Sequence, residues 1–459
     1  MSKEISKGSF SSKIGFVLAA AGSAVGLGNI WRFPYLAAKY GGGIFLLVYL
    51  ILAVTFGFSL MITEIAIGRK TGKSVIGAYS AINGKFKPLG WIAALVPAII
   101  LPYYCVIGGW VLKYLTVFIS GSSASIETTE ANSDAYSGFF SDFIGHAGYP
   151  TLFLVIYLLL TAVVVMLGVE KGVEKASKVL MPVLILLTIG VAVYSMTLNG
   201  AAEGIKYYLK PDFSRFSLKT VVAAMGQLFY SMSLSMGIMV TYGSYMRKKD
   251  CLETSVRQIE IFDTAIAFLS GLMIIPAVFA FSGGENQEKL LNQGPSLMFI
   301  TLPKVFDSMT GGRIIGIVFF LLVALAALTS SISLMETVVS IVMEKFRLNR
   351  IVSSIIVMIF SFAVGMLSVL GYSVWDNVLI FGYQFLDLFD FISNNVLMPI
   401  VALLTCILIG YVAKPAYVEE EVRLNSKFRA RGMYRVMLKY ICPVFMIVIF
   451  ISSVSGYIK

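Results

Sequence analysis

Residues Ala21 to Pro34 read Ala-Gly-Ser-Ala-Val-Gly-Leu-Gly-Asn-Ile-Trp-Arg-Phe-Pro. They fall inside an apolar run long enough to cross a bilayer, yet glycines, an asparagine, an arginine and a proline interrupt it. In hydrocarbon an unpaired backbone amide or carbonyl is costly, so a helix opens there only where protein, water or a ligand takes over the freed groups. A chain opened near Ala24 to Gly28 offers two kinds of chemistry. Carbonyls of Gly22, Ala24 and Val25 suit a small hard cation, and Asn29 adds a neutral side-chain oxygen. Amides of Leu27 and Gly28, at the positive end of the second half-helix, suit a carboxylate.

Two other segments carry matching groups. Residues 229–237 read Phe-Tyr-Ser-Met-Ser-Leu-Ser-Met-Gly and predict a second break. The breaks fall in the first and sixth spans, at corresponding places in two five-span halves. That spacing points to an inverted repeat with a site at its interface; the alternative is that glycine and serine only let helices pack closely. In span eight, Thr329, Ser330 and Ser333 fall on or near one helical face. Hydroxyls and carbonyls suit a monovalent cation, without the dense carboxylates of a calcium site. The alternative is that each hydroxyl bonds back to the preceding turn.

Intramembrane ionisable residues are costly and usually functional. Arg32 follows the first break, and Asp387 and Asp390 lie in the outer half of span ten. An Arg32–Asp390 pair would close the site from outside. Asp263 either adds charge near a cation or sits at a helix end. Glu64 is a candidate partner for a freed backbone amide. Lys7 with Phe10 and Glu344 would close the inner path, or form an interfacial salt bridge.

These residues must be positioned by membrane helices. The chain has 459 residues, 58% hydrophobic and 13% charged, with a mean hydropathy of +0.86. Soluble domains are nearer a quarter charged, so the composition predicts a polytopic all-α membrane protein. Apolar runs at 14–38, 43–68, 89–119, 150–168, 174–197, 220–245, 258–282, 311–344, 350–371, 378–411 and 435–457 predict about eleven spans. With the N-terminus inside, inner segments hold 25 Lys and Arg and outer segments hold 9. The C-terminus is then outside, and the net charge of +11 belongs to cytoplasmic loops rather than to nucleic-acid binding. Ser2 to Ser12 is short and polar, which predicts an uncleaved first span. Cys105, Cys251, Cys406 and Cys442 form no disulfide framework, and His146 alone excludes a multi-histidine metal site.

The motif Gly22-Ser23-Ala24-Val25-Gly26-Leu27-Gly28-Asn29 with Trp31-Arg32-Phe33-Pro34 resembles the neurotransmitter:sodium symporter family. Gly41-Gly42-Gly43, Tyr103-Tyr104, Gln227, the Ser231–Gly237 run and Leu328-Thr329-Ser330-Ser331 extend the resemblance to nearly the whole chain. It implies two inverted five-helix repeats, the LeuT fold, with helices 1 and 6 unwound at mid-membrane. The implied organisation is a cytoplasmic segment at 1–13, repeats at 14–197 and 220–411, an external loop at 198–219, a cytoplasmic loop at 412–434, and a last helix with an external C-terminus at 435–459.

The resemblance also implies sites. One sodium would use Ala24, Asn29, Ser231 and Asp263. A second would use Gly22, Val25, Ala326, Thr329 and Ser330. The substrate would meet Ala24, Gly26, Leu27, Gly28, Ile100, Tyr104, Phe229, Tyr230, Ser231, Ser233, Met236, Ser330, Ser333 and Leu334. Arg32 and Asp390 resemble an outer gate, and Lys7, Phe10, Tyr245 and Glu344 an inner one. Gly172 and Pro182 resemble a motif that lets the inner part of span five unwind; the alternative is an ordinary proline kink.

Chloride-dependent relatives carry a serine where this chain has Ala267, so the resemblance implies chloride independence, with Asp263 supplying the charge. The implied activity is sodium-coupled uptake of hydrophobic, aliphatic and aromatic, L-amino acids across a bacterial plasma membrane. The alternatives are a non-transporting amino-acid sensor and an ion channel. No HExxH motif and no nucleophile paired with a base point to an enzyme. Membrane lipid is the expected surrounding partner, and nothing in the sequence specifies an oligomer.

Overall fold

The computed structural model describes residues 8–122, 135–281 and 296–457. Among them, nine helices are long and apolar enough to cross a membrane, and a tenth span is made by the bent pair Lys13–Ala24 and Gly28–Lys39. The expected count of eleven also includes the sixth span. Its pieces Leu218–Ser231 and Ile238–Tyr245 are 14 and 8 residues long, each too short to cross alone.

Local chemistry sets where the two interrupted helices start and stop. Ser12 caps the first helix by accepting from the Gly15 amide at 3.0 Å. The helix ends when Val25 turns extended, and it resumes at Gly28 with a π-helical turn and a 55° bend. Ser217 caps the sixth span by accepting from the Thr220 amide at 3.2 Å. That helix ends at Ser231 because Ser233, Ser235 and Gly237 take left-handed φ values of 52°, 60° and 72°. Serine holds such a conformation only when its surroundings fix it. Here the Ser235 amide donates to Glu64 at 2.7 Å, so Glu64 is the partner of a freed amide.

The first helix packs against Leu252–Phe281, Gly312–Phe346 and Lys175–Met196, which places its break inside the bundle. Outer helices show the reverse polarity of a soluble protein. Gly148–Met166 buries Leu154, Leu158, Thr161 and Val165, and exposes Leu152, Ile156, Leu159 and Val163. Spaced by three or four residues, the exposed set forms one apolar stripe. Such a stripe suits lipid rather than water.

Two expectations change in detail. Span ten begins at Phe385, not 378, because Phe381 and Gly382 take left-handed φ values of 54° and 83° and form a turn. Span five begins at Val169, not 174, with Gly172 in a hydrogen-bonded π-helical turn at Val169–Glu174, upstream of Pro182 in Lys175–Met196. A Cβ on Gly172 would lie 2.0 Å from the Val164 carbonyl oxygen, so only glycine permits that approach.

Candidate functional site

The two breaks face each other across a tight cavity of about 30 Å³. Ser23, Ala24, Gly26, Leu27 and Gly28 form one wall; Tyr230, Ser231, Ser233, Met236 and Ile238 form the other. Ile100, Tyr104, Ser330 and Leu334 complete it. Among the described residues no charged side chain lines it. Tyr104 accepts the Leu27 amide at 3.3 Å, so one freed amide and one hydroxyl meet at the same wall. A Cβ on Gly26 would lie 2.6 Å from Ser330 Oγ and 2.9 Å from the Tyr104 hydroxyl, closing that polar corner.

Asn29, Ser231 and Asp263 meet on one flank of the cavity. Asn29 donates to the Asp263 carboxylate at 2.7 Å, and Ser231 donates to it at 2.8 and 3.0 Å. Tyr49 adds a third donor at 3.2 Å. The Asn29 amide oxygen accepts from the Gly26 amide at 3.3 Å, which ties the cluster to the break. Asp263 is fully buried and all these partners are neutral. A buried carboxylate without a cationic partner is expensive, so the cluster suits a bound cation.

Ser330 holds the other flank. Its hydroxyl lies 3.5 Å from the carbonyl oxygens of both Gly22 and Val25, and donates to that of Ser23 at 3.1 Å. Thr329 instead bonds back to Ala326 at 2.9 Å and Leu325 at 3.3 Å. Thus neighbouring hydroxyls take the two roles that the sequence left open. Among the described residues no group of three His, Cys, Asp or Glu side chains gathers; the oxygens are mainly carbonyl and hydroxyl, the donor type of a monovalent cation site.

At the far end of the cavity Ser333 donates to Ser23 at 2.7 Å, Ser23 to Ser233 at 3.3 Å, and Ser233 to the Ser23 carbonyl at 3.0 Å. Ser333 and Phe229 stand outside the lining itself, while Ser23 and Ile238 join it.

Arg32 and Asp390 are not brought into an ion pair. The Arg32 guanidinium lies 4.9 Å from the Tyr230 ring centre. Asp390 accepts from Asn394 at 2.6 Å and from Tyr103 at 3.1 Å, and Asp387 lies near the Tyr372 hydroxyl at 3.5 Å. At the end carrying the basic loops, Phe10 packs edge-on against Phe16, Tyr242 and Tyr245, and its amide donates to the Tyr245 carbonyl at 3.1 Å. Tyr245 donates to Glu336 at 2.8 Å, and Arg350 grips both oxygens of Glu336 at 2.5 and 3.1 Å. Glu344 accepts the Ser74 amide at 2.7 Å. Lys7 lies outside the described residues.

The profile of the "Sodium:neurotransmitter symporter family" matches residues 7–132 and 123–459. The chain belongs to this family. It is 35% identical to the "Uncharacterized sodium-dependent transporter YhdH" of Bacillus subtilis, over 97% of both chains. It is 29% identical to the mouse "Sodium- and chloride-dependent GABA transporter 2", over 78% of this chain and 66% of that one. The crystal structure of MhsT in complex with L-phenylalanine aligns with a TM-score of 0.86 at 35% identity, covering 98% of this chain and 100% of that one. This symporter is therefore a multi-pass, sodium-dependent membrane transporter of the LeuT fold, not an enzyme.

Sequence reasoning passed over Tyr49, Glu336, Arg350 and Asn394, and named Tyr103 only as part of the Tyr103-Tyr104 motif, with no role at Asp390. Glu336 carried a usable signal, since it is a carboxylate deep within an apolar run. Tyr49 carried none, because tyrosines are common in such runs and only packing selects it.

Proposed function

We propose that this symporter carries hydrophobic, aliphatic and aromatic, L-amino acids with two sodium ions by alternating access, independently of chloride. The observation that carries the reading is a cavity with no charged lining residue among the described ones, set between two oxygen clusters and beside the Leu27 amide released from the first helix. The Leu27 and Gly28 amides with Tyr104 receive the substrate carboxylate; Ile100, Tyr230, Met236 and Leu334 surround its side chain. Met236 is flexible enough to reshape around different side chains. The phenylalanine complex of MhsT supports this substrate class.

One sodium ion takes Ala24, Asn29, Ser231 and Asp263. The second takes Gly22, Val25, Ala326, Thr329 and Ser330, with Thr329 turning from its own helix to the ion. Asp263 supplies a fixed negative charge beside the first ion, in the role that chloride fills in chloride-dependent relatives, and Ala267 offers no hydroxyl for a halide. Sodium orders the opened backbone and completes the carboxylate site. Sodium and substrate then shift the gates by their different affinities for the two states. Arg32, Asp390, Tyr104 and Tyr230 close the outer path; Lys7, Phe10, Tyr245 and Glu344 close the inner one. Opening at Gly172 and Pro182 lets water reach the second ion.

In a bacterial plasma membrane, 1–13 and 412–434 face the cytoplasm, 198–219 and the C-terminus face outside, and 14–197 and 220–411 are the two repeats. The basic bias of the inner loops supports this orientation. The test is binding to the purified protein, with sodium and with all twenty amino acids as competitors, repeated with gluconate in place of chloride. Competition by aliphatic and aromatic amino acids, needing sodium but not chloride, is expected. Competition by only one small amino acid, or a chloride requirement, overturns the reading.

A further inference from the structure

At the basic-loop end, the helices Phe385–Val412 and Arg431–Val454 converge on an open recess of about 520 Å³. Tyr411, Lys414, Arg435, Val436, Lys439 and Tyr440 form most of its rim. We propose that this recess holds the phosphodiester headgroup of an anionic phospholipid of the phosphatidylglycerol class.

The charge balance favours an anion. Glu419, the nearby carboxylate, is already engaged by Arg431 through Oε2 at 2.7 Å and by Arg435 through both oxygens, with Oε2 at 2.9 Å. Among the described residues, neither the Lys414 nor the Lys439 ammonium has a hydrogen-bonding or ion-pair partner. Lys414 is also held at a left-handed φ of 66° immediately before Pro415, an unfavourable conformation for lysine that the surrounding structure must impose. The helices stay close here because Tyr411 donates to the Lys439 carbonyl at 2.5 Å.

The apolar surroundings distinguish a lipid from a free anion. Tyr411 and Tyr440 are 52% and 62% exposed, as aromatic side chains are at a headgroup boundary. From the recess, Val436, Tyr440, Val444 and Ile447 continue as one exposed stripe along the last helix. An acyl chain lies along such a stripe; inorganic phosphate has no use for it. Basic pockets between helix ends are a recurrent form of anionic headgroup site.

The test is native mass spectrometry of the full chain in detergent, with phosphatidylglycerol and phosphatidylcholine of identical acyl chains. Wild type is expected to retain phosphatidylglycerol preferentially. Each lysine near the surface is expected to contribute about fivefold, so Lys414→Gln with Lys439→Gln loses about 25-fold for phosphatidylglycerol and keeps its phosphatidylcholine level. Lys414→Arg with Lys439→Arg retains the preference. Sodium-dependent substrate binding, measured on each preparation, confirms folding; should the double glutamine variant fail it, Lys439→Gln alone is read for its fivefold loss. Equal retention of the two lipids by wild type, an unchanged preference in the glutamine variant, or displacement of the lipid by equimolar inorganic phosphate overturns the proposal.

Discussion

The two ends of the central path are held by different forces. Above the cavity, Arg32 rests on the Tyr230 ring and Asp390 is held by neutral donors, so Arg32 and Asp390 do not join the helices by an ion pair. Below it, Phe10, Tyr245, Glu336 and Arg350 form a continuous network, with Glu336 fully enclosed and Arg350 partly exposed. Nearby, Arg69 ties the end of Gly43–Thr71 to Glu421 at 2.7 Å and to the Asp250 carbonyl at 2.8 Å. A cation over an aromatic ring is worth about 0.5–1 kcal/mol at an exposed site and about 2 when desolvated. Removing one member of a buried ion pair costs about 3–5 kcal/mol. On these magnitudes the lower end is the more strongly tied of the two.

The sharpest way to break this comparison is Arg350→Ala. It leaves Glu336 buried without its cation, so a loss of about 3–5 kcal/mol is expected. Thermal unfolding in detergent and thiol labelling of Phe10→Cys check it: the midpoint falls and labelling speeds up. An unchanged midpoint with unchanged labelling would show that the lower network does not hold the closed end.

Between the ends, Asn29→Ala removes a donor to Asp263 and a tie to the first break. About 1.5–3 kcal/mol is expected, read as a weakening of sodium-dependent substrate binding by tenfold or more. The same apparent sodium affinity in the variant would detach Asn29 from the ion site.

Arg32→Gln is expected to cost less than Arg350→Ala, about 0.5–2 kcal/mol, and to appear as faster substrate release without loss of thermal stability. A stability loss as large as that of Arg350→Ala would reverse the comparison.

The smallest effect belongs to the loop that buttresses the lower end. Burial disfavours the Glu419 carboxylate, but the bonds from Arg435 and Arg431 outweigh it and hold its carboxyl below the usual range. A depressed carboxyl adds stability above its unfolded pKa and loses it as pH falls through the folded one. The stability gap between wild type and Glu419→Gln should be full at neutral pH and shrink below about pH 4. A gap independent of pH would assign it to packing.

The sequence was most legible where local chemistry decides structure. The break at Val25 to Leu27 follows from nearby glycines and Asn29, and the break after Ser231 from a run of serines before Gly237. The hydroxyl face of Thr329, Ser330 and Ser333 was legible as a face, but not the division of labour within it. Thr329 and Ser330 differ only in which way the helix turns them, toward their own carbonyls or across to the first helix. The partners of Arg32 and Asp390 were least legible, because tertiary packing chose Tyr230, Tyr103 and Asn394 over direct charge pairing. Glu336 and Arg350, fourteen residues apart on two helices, meet only through the turn between them.

The most direct test of sodium-coupled hydrophobic amino-acid transport is uptake of L-phenylalanine into proteoliposomes loaded with potassium and diluted into sodium gluconate. Accumulation above the external concentration is predicted, collapsing when the sodium gradient is removed and strongly reduced in Asn29→Ala. Equilibration without accumulation, or accumulation indifferent to sodium, would contradict it.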